Sequence, residues 1–416
     1  MHILLHLFVI SLLTSNAVMG ALTHIFALIA SIDWVKRIKV TRRGSGFWPR
    51  LTHETVTRPW LDYALWGYVV AVTLGALFIA DIPSLKDRWD VFAESKWVLF
   101  LYGLCATFLY RQTQVKVFLR TLQIVMSLVG VYAFLQTTLG IDWTHKDPDQ
   151  YRMTANGFWR ARGLFNNPMT FAYSVGMVFS GLLPFFLFRV YNKREHLLLS
   201  AALLASGVAV VCTFTRGSWI AISLQTVILL LAWQKKRGLR ALAVVATVVG
   251  LIVLATPALR HRVQSFSSLE SNSISQRFEL WQSNWQMFLD HPLLGVGAHR
   301  NSARAAEYNL KLFGKVGFVN DSHNNVLQVL AGTGLIGFIS LTIFMIGLLY
   351  ATWLRFTKSE DPWSKSIHLG ALGTQIFFHA GGLTQSNFVD AEVLTMLCFW
   401  LALSVSCKGG STARTK

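Results

Sequence analysis

Residues 196–234 read HLLLSAALLASGVAVVCTFTRGSWIAISLQTVILLLAWQ. Two apolar runs, 196–213 and 217–234, are separated only by a tight turn that contains Arg216. A membrane-spanning helix needs about 20 mostly apolar residues, so each run is long enough to cross a bilayer once. The stretch therefore predicts a helical hairpin in a membrane, with a charged residue at its tip.

The whole chain has the same apolar character. Of its 416 residues, 53% are hydrophobic and 14% are charged, and the mean hydropathy is +0.45. A soluble domain is nearer 25% charged, so this composition excludes a soluble enzyme, a disulfide scaffold and a disordered protein. Further runs of span length lie at 64–80, 94–110, 117–138, 168–189, 239–256, 324–353, 366–385 and 390–407.

The amino-terminal segment 3–31 is longer than one span requires and is broken at residues 14–16. This pattern predicts a hairpin of two helices. With the other runs, it predicts an all-α polytopic membrane protein with about twelve transmembrane helices.

The basic residues indicate the orientation of the chain. With both termini in the cytoplasm, the cytoplasmic loops, such as 189–196 and 235–240, carry more Lys and Arg than the opposite loops, as the positive-inside rule requires. Membrane topology thus accounts for the net charge of +18, and we expect no nucleic-acid partner. The chain then divides into transmembrane helices with short loops at 1–256, a large outer segment at 257–323, and transmembrane helices with a short cytoplasmic tail at 324–416.

The outer segment 257–323 is far longer than the ~12–15 residues usual for a structureless connection, so we expect it to be folded and functional. Within it, apolar residues recur at helical spacing, at Ile274, Phe278, Trp281, Trp285 and Phe288. The spacing predicts an amphipathic helix that ends near Pro292. Such a helix either packs on the bundle or lies in the plane of the membrane interface.

Two features with arginines fall on the outer face before this segment. Arg160 and Arg162 precede a membrane helix that begins at Pro168, and helix capping accounts for the asparagines between them but not for the arginines. Arg216 lies in the tight turn, where an arginine is either a snorkelling anchor or a phosphate ligand. Gly217 and the first amides of the next helix favour the ligand, because they permit close approach of an anion.

Two more features belong to the outer segment itself. Arg277 lies on the polar side of the amphipathic pattern, where it is either a solvated residue or a ligand. His323 follows Asp321 where the segment re-enters the membrane. It is either a neighbour of a helix cap or a general base that Asp321 orients, because histidine suits proton transfer near neutral pH.

Other patterns carry less weight. Asp147 and Asp149 match the DxD of metal-using sugar transferases but lie in a polar turn, and Asp87 and Asp90 are alternative carboxylate bases. The chain contains no GxxxxGK[ST], HExxH or GxSxG motif, which argues against ATP hydrolysis, zinc proteolysis and acyl transfer. We expect neither a metal nor a cofactor.

Arginines and a histidine at one membrane face together suit a reaction between a lipid-linked diphosphate and a hydroxyl group. The cations suit a diphosphate, and the membrane setting suits a lipid-linked one. A base at the same level suits activation of a hydroxyl group.

Four stretches resemble the O-antigen ligase/polymerase superfamily: RGLFNNPMTFA (162–172), TFTRGSWIA (213–221), RFELWQSNWQMFLDHPLLGVG (277–297) and DSHNNVLQVLAGTGLIG (321–337). The resemblance implies a GT-C-type glycosyltransferase of the bacterial inner membrane. Such an enzyme moves O-antigen from undecaprenyl diphosphate to a sugar of lipid A–core on the periplasmic side, without metal or ATP. Its diphosphate-binding arginines would fall on Arg216, Arg277 and Arg162, and its histidine base on His323.

Relatives that share these stretches include O-antigen polymerases and protein O-oligosaccharyltransferases. The protein-modifying enzymes usually carry more sequence after the last helix, so the short tail favours the ligase. The polymerase differs from the ligase chiefly in its acceptor and remains an alternative. A transporter of lipid-linked sugars would need ionisable residues near the bilayer midplane, whereas here they cluster at the ends of the predicted helices.

Overall fold

A computed structural model of the chain describes residues 2–14, 59–79, 84–109, 114–145, 158–257 and 272–407, together with residues 18–22, 24, 25, 28, 82, 147, 149–151 and 260. The helices are α1 (His2–Thr14), α2 (Pro59–Phe78), α3 (Leu85–Ala93), α4 (Lys96–Leu109), α5 (Val115–Leu139), α6 (Pro168–Leu187), α7 (Lys193–Cys212), α8 (Arg216–Trp233), α9 (Lys235–Ala255), α10 (Asn272–Asp290), α11 (Asn301–Phe313), α12 (Asn325–Lys358), α13 (Pro362–Gly381) and α14 (Ala391–Ser406).

The helices coincide with the apolar runs of the sequence. Each run predicted from 64–80 onward contains a helix, and six of the described helices (α2, α5, α6, α7, α8 and α12) are long and apolar enough to cross a membrane. An all-helical polytopic membrane protein is therefore supported. Residues 18–22 are helical as well, but much of the predicted first hairpin lies outside the described residues. The total of about twelve spans stays a prediction.

Helix α13 lies at the centre of the bundle, where it packs against α6, α8, α12 and α14. Small residues allow this packing: a Cβ atom at Gly176 of α6 would overlap Phe377, and one at Gly370 of α13 would overlap the backbone of Gly181. Close backbone approach of this kind is how helices associate when no hydrophobic difference drives them together in lipid.

Helix α12 is interrupted at Gly334, whose φ of 64° and ψ of −169° are not helical. The segment after α10 fills the interruption. The backbone N–H of Leu335 donates to the carbonyl oxygen of Pro292 at 2.8 Å, and that of Val296 donates to Ala331 at 2.9 Å. These bonds satisfy backbone groups that a broken helix leaves unpaired in an apolar setting. The single helix predicted over 324–353 is thus two helical pieces, and the outer segment is anchored between them.

The predicted amphipathic helix is present as α10, but its protein-facing side differs from the predicted stripe. Leu280, Ser283, Asn284 and Met287 are fully buried, where α10 packs against α11 and α12. Aromatic residues of the stripe point away from this contact, and Phe278 and Trp285 are 51% and 48% exposed. Polar side chains lie on the buried side because a hydrogen-bonded network receives them there.

Candidate functional site

His323 lies two residues before the start of α12. Its segment is hydrogen-bonded to the connection between α13 and α14, residues 382–390. The backbone N–H of Asn325 donates to the carbonyl oxygen of Gly382 at 2.6 Å, and Nδ2 of Asn324 donates to Leu383 at 3.2 Å. His323 itself has a φ of 46°, a left-handed conformation that is uncommon for a residue with a Cβ atom. Its N–H donates to Oδ1 of Asp321 at 3.1 Å, which stabilises this turn.

The imidazole ring of His323 is held from one side. Its Nδ1 lies 2.9 Å from Oε1 of Gln385 and 3.6 Å from Oδ1 of Asp321. The side chain is 10% exposed, and no described residue forms a hydrogen bond with Nε2. The ring is therefore fixed at Nδ1 and leaves Nε2 for a bound molecule. Asp321 lies where the sequence predicted an orienting carboxylate, with Gln385 closer to the ring.

Arg216 is the first residue of α8, and the residue after it sets the position of the turn. A side chain at Gly217 would overlap Thr384 and Tyr173, whose hydroxyl groups are 3.2 Å apart. Glycine is needed here because the backbone of α8 lies directly on these two residues. The Arg216 turn thus contacts the residue that precedes Gln385 in the 382–390 connection.

Arg277 extends from α10 toward the same place. Burial lowers the pKa of its guanidinium, nearby Tyr173 raises it, and nearby Arg216 lowers it again. The two arginines, which are far apart in sequence, therefore lie within electrostatic range of each other and of Tyr173. The structure brings Arg216, Arg277 and His323 together around Tyr173 and the 382–390 connection.

The charge of Arg277 lacks a carboxylate partner in the described part of the chain, where each ion pair joins other residues. Two guanidinium groups in one half-buried location repel each other and lose hydration. An anion with several oxygen atoms would offset both costs through charge-assisted hydrogen bonds.

Arg162 does not join this group. It is 4% exposed, and its guanidinium donates to Oδ2 of Asp142 at 3.0 Å, to Oε1 of Gln150 at 2.8 Å and to the carbonyl oxygen of Asp147 at 2.8 Å. Burial alone would raise the pKa of Asp142, but hydrogen bonds from His145, Thr144 and Arg162 outweigh it and lower that pKa to about 2. With every guanidinium nitrogen engaged, Arg162 favours a structural role over the predicted diphosphate contact.

Arg160, and not Arg162, reaches the turn that contains Arg216. Its Nε donates to the carbonyl oxygen of Thr213 at 2.9 Å, and Nη2 donates to Oγ1 of Thr215 at 3.2 Å. Arg160 thereby braces the turn that presents Arg216. The sequence could not show which of the two arginines approaches the Arg216 turn. Arg160 bonds to Thr213 and Arg162 to Asp142, and both partners are distant in the chain.

A chain of buried amides connects α10 with the His323 segment, and sequence reasoning missed it. Asn284 accepts from Nδ2 of Asn301 at 2.6 Å, Asn301 accepts from Nε2 of Gln328 at 3.0 Å, and Gln328 accepts from the backbone N–H of Ser322 at 2.9 Å. All three amide side chains are at most 4% exposed. The chain sets the position of the helix that carries Arg277 relative to the residue before His323.

Of the carboxylates weighed as alternatives, Asp87 has a contact within the cap of α3, where its Oδ2 accepts from Oγ of Ser84 at 2.7 Å. At Asp147 the backbone carbonyl oxygen, and not the carboxylate, accepts from Arg162. Among the described residues, no group of three or more His, Cys, Asp or Glu side chains could hold a metal ion.

Comparison with known families bears on this geometry. Residues 201–342 match a family model described as O-Antigen ligase, and the matched range includes Arg216, Arg277 and His323. No curated protein matches the chain. The family match supports the assignment to the O-antigen ligase/polymerase superfamily that the four sequence stretches predicted.

Proposed function

We propose that this chain is the ligase of lipopolysaccharide assembly, and the match of residues 201–342 to a family model described as O-Antigen ligase supports the proposal. The family implies a glycosyltransferase-like enzyme of O-antigen processing that acts on lipid-linked polysaccharide. The proposed donor is O-antigen on undecaprenyl diphosphate, and the proposed acceptor is a sugar hydroxyl of lipid A–core.

The observation that carries this proposal is the approach of Arg216 and Arg277 to each other beside Tyr173, with Thr384 in contact with the Arg216 turn and Gln385 in contact with His323. A guanidinium group can form two parallel, charge-assisted hydrogen bonds with phosphate oxygens, so a pair of arginines suits a diphosphate. The proposed proton acceptor, His323, contacts the residue next to Thr384 and would therefore lie close to a diphosphate-linked sugar bound by the two arginines.

In the proposed reaction, Nε2 of His323 removes the proton of the acceptor hydroxyl while its oxygen attacks the anomeric carbon of the donor sugar. The bond from that carbon to the diphosphate oxygen breaks, and the diphosphate leaves with the bonding electron pair. Arg216 and Arg277 neutralise the charge that develops on the leaving group. A single displacement inverts the anomeric configuration, and the chemistry requires neither a metal nor ATP.

The proposed setting is the bacterial inner membrane, with a GT-C-type bundle and the site on the periplasmic face.

Cysteines placed at exposed positions test this orientation. Lys315→Cys in the outer segment should react with an impermeant maleimide on spheroplasts, whereas Glu360→Cys, between α12 and α13, should react only after lysis. Native cysteines contribute little background, because Cys105, Cys212 and Cys398 are buried. The reverse labelling pattern would contradict the orientation.

The central experiment is a transfer assay with the full-length protein in nanodiscs, the undecaprenyl-diphosphate-linked donor and lipid A–core. Loss of a general base typically costs ~10²–10⁴-fold, so His323→Ala should lose at least 100-fold in turnover and still bind donor. His196→Ala is the matched control, because His196 stacks on Phe186 at the opposite end of the bundle. If His323→Ala kept more than about a tenth of the activity, the proposed base would be wrong.

A deletion strain separates the ligase from the polymerase. Lipid A–core without O-chains, with polymerised O-antigen still on its carrier, supports the ligase. Core that carries a single O-unit would instead assign the polymerase. Transfer that stops in EDTA would contradict the metal-independent mechanism.

A further inference from the structure

Gln385 joins His323 to a carboxylate. Its Oε1 lies 2.9 Å from Nδ1 of His323, and its Nε2 lies 3.4 Å from Oδ2 of Asp390. Thr170, in the first turn of α6, donates to Oδ1 of the same carboxylate at 3.1 Å. The three side chains form a line from the ring of His323 to the first turn of α6.

The direction of the Gln385 amide follows from the chemistry of its two neighbours. An ionised carboxylate only accepts hydrogen bonds, so Asp390 attracts the amide nitrogen and turns the amide oxygen toward His323. An amide oxygen also only accepts, so Nδ1 of the ring must carry the hydrogen. The ring proton is then on Nδ1, and Nε2 keeps its lone pair.

We propose that Gln385 is a positioning residue that holds His323 in the Nδ1–H tautomer, and that Asp390 orients Gln385 for this purpose. The inference rests on the proposed function in one respect, that Nε2 of His323 is the proton acceptor. The contacts that carry the proposed role of Gln385 are those with His323 and Asp390. Gln385 acts through the ring, both by selecting the tautomer and by accepting from Nδ1–H when the ring becomes an imidazolium.

The surroundings of Gln385 hold its backbone while leaving the amide direction to its neighbours. Gln385 is 5% exposed, and Ser386 and Asn387 are fully buried. Oγ of Ser386 lies 3.3 Å from Oγ of Ser322, and Nδ2 of Asn387 donates to the carbonyl oxygen of Phe378 at 2.9 Å. An amide that rotated by half a turn in this position would present its NH₂ group to Nδ1 and favour the Nε2–H tautomer, which is not a base at Nε2.

The direction of the Gln385 amide depends on whether Asp390 is ionised. The pKa of Asp390 is raised to about 7. Burial is the main cause, Glu392 and Asp321 also raise the pKa, and the hydrogen bonds from Thr170 and Gln385 partly offset them. Tyr173 of α6 also faces this carboxylate. A protonated Asp390 can donate to Oε1 of Gln385, which would release the amide from its orientation.

The test reads the tautomer directly. Protein labelled with ¹⁵N-histidine is studied in nanodiscs by solid-state NMR at pH 8, and the His323 signals are assigned by difference from His323→Gln. We expect a protonated Nδ1 and an unprotonated Nε2 in the wild type. Asp390→Asn should populate the opposite tautomer. A wild-type spectrum with the proton on Nε2 would overturn the inference.

Two substitutions separate positioning from simple structural support. Gln385→Glu replaces the NH₂ group that donates to Asp390 with a carboxyl oxygen, so the two acids should share one proton. An acceptor for Nδ1–H remains, so kcat should stay within about threefold. Because part of the negative charge then lies next to the ring and stabilises the imidazolium, the acid limb of the pH–rate profile should move to higher pH. Gln385→Leu removes the acceptor and should lower kcat at least about tenfold with the donor KM unchanged. Equal losses of kcat in both variants, with no movement of the profile, would contradict the role.

Gln375→Leu is the folding control, since Gln375 is a buried glutamine whose Nε2 bonds Thr352 instead, and it should not alter the His323 signals. The NMR result does not depend on turnover, so the two proposals fail separately. A wild type that transfers no sugar but shows the Nδ1–H tautomer contradicts the proposed function alone. A wild type that transfers sugar with the proton on Nε2 contradicts this inference alone.

Discussion

Nε2 of Gln328 donates to Oδ1 of Asn301 at 3.0 Å, and Nδ2 of Asn301 donates back to the carbonyl oxygen of Gln328 at 3.2 Å. This reciprocal pair joins α11 to α12 in the middle of the buried amide chain. Because the chain runs from Asn284 on α10 to Ser322, it relates the helix that carries Arg277 to the residue before His323.

Asn301→Leu should therefore lower both stability and activity. The change leaves Oδ1 of Asn284 and Nε2 of Gln328 buried without these partners, at a cost of about 1–3 kcal/mol for each group. Thermal unfolding in detergent measures the loss, with Asn166→Leu as the control because Asn166 is exposed. Equal unfolding temperatures for the two variants would show that the amide chain does not hold the site.

Arg216→Ala and Arg277→Ala should each weaken the use of donor by about 10- to 150-fold, the value of one charge-assisted hydrogen bond of ~1.5–3 kcal/mol. The loss should appear in kcat/KM for the donor and not in the unfolding temperature. Lys315→Ala removes a cation of the same outer segment that pairs with Glu279, and it should have little effect. A similar loss in all three variants would indicate general attraction of the anionic donor.

Arg162→Ala should behave differently, because its guanidinium is bonded within the protein. Removing it takes away the ion pair between Arg162 and Asp142 and leaves the carboxylate to His145 and the backbone N–H of Thr144. The loss of one charge-assisted hydrogen bond typically costs ~1.5–3 kcal/mol. We expect a lower unfolding temperature with an unchanged donor KM for the protein that remains folded. A stable variant with a raised donor KM would restore Arg162 to the diphosphate site.

Gly334→Ala should prevent stable folding. Its φ of 64° disfavours any side chain, and a Cβ atom there would overlap the backbone of Leu293. Gly250→Ala is the matched control, because nothing lies within 4 Å of a Cβ atom at that position and alanine favours a helix by up to about 1 kcal/mol. Recovery of folded protein after size-exclusion chromatography distinguishes them, and a well-folded Gly334→Ala variant would contradict the described break.

Asp390→Asn should raise stability while it lowers activity. The pKa of Asp390 is raised to about 7 from 3.8, so the folded state favours the protonated form, and ionisation costs stability as pH rises from 3.8 through about 7. The variant should unfold roughly 2–4 °C higher than wild type at pH 8 and at the same temperature near pH 4. Destabilisation at pH 8 would show that the carboxylate has a net favourable role in the fold.

The sequence by itself determined the helical architecture of the apolar runs and predicted most of the residues of the candidate site. Span length and hydropathy are local properties of the chain, so each apolar run from 64–80 onward corresponds to a helix. The prediction that Arg216, Arg277 and His323 share the outer face of the membrane came from the order of those runs and from the distribution of Lys and Arg between the loops. The family stretches around them are local as well, which is why they were recognised before any contact was known.

The tertiary structure decided which of these residues meet and what holds them. Gln385 reaches His323, Arg162 turns to Asp142, and Arg160 reaches Thr213 instead. The segment after α10 fills the break at Gly334, and polar side chains of α10 are buried because amides of α11 and α12 receive them. These outcomes depend on hydrogen-bond partners supplied by distant parts of the chain, and a pattern of hydropathy along one segment contains no information about such partners.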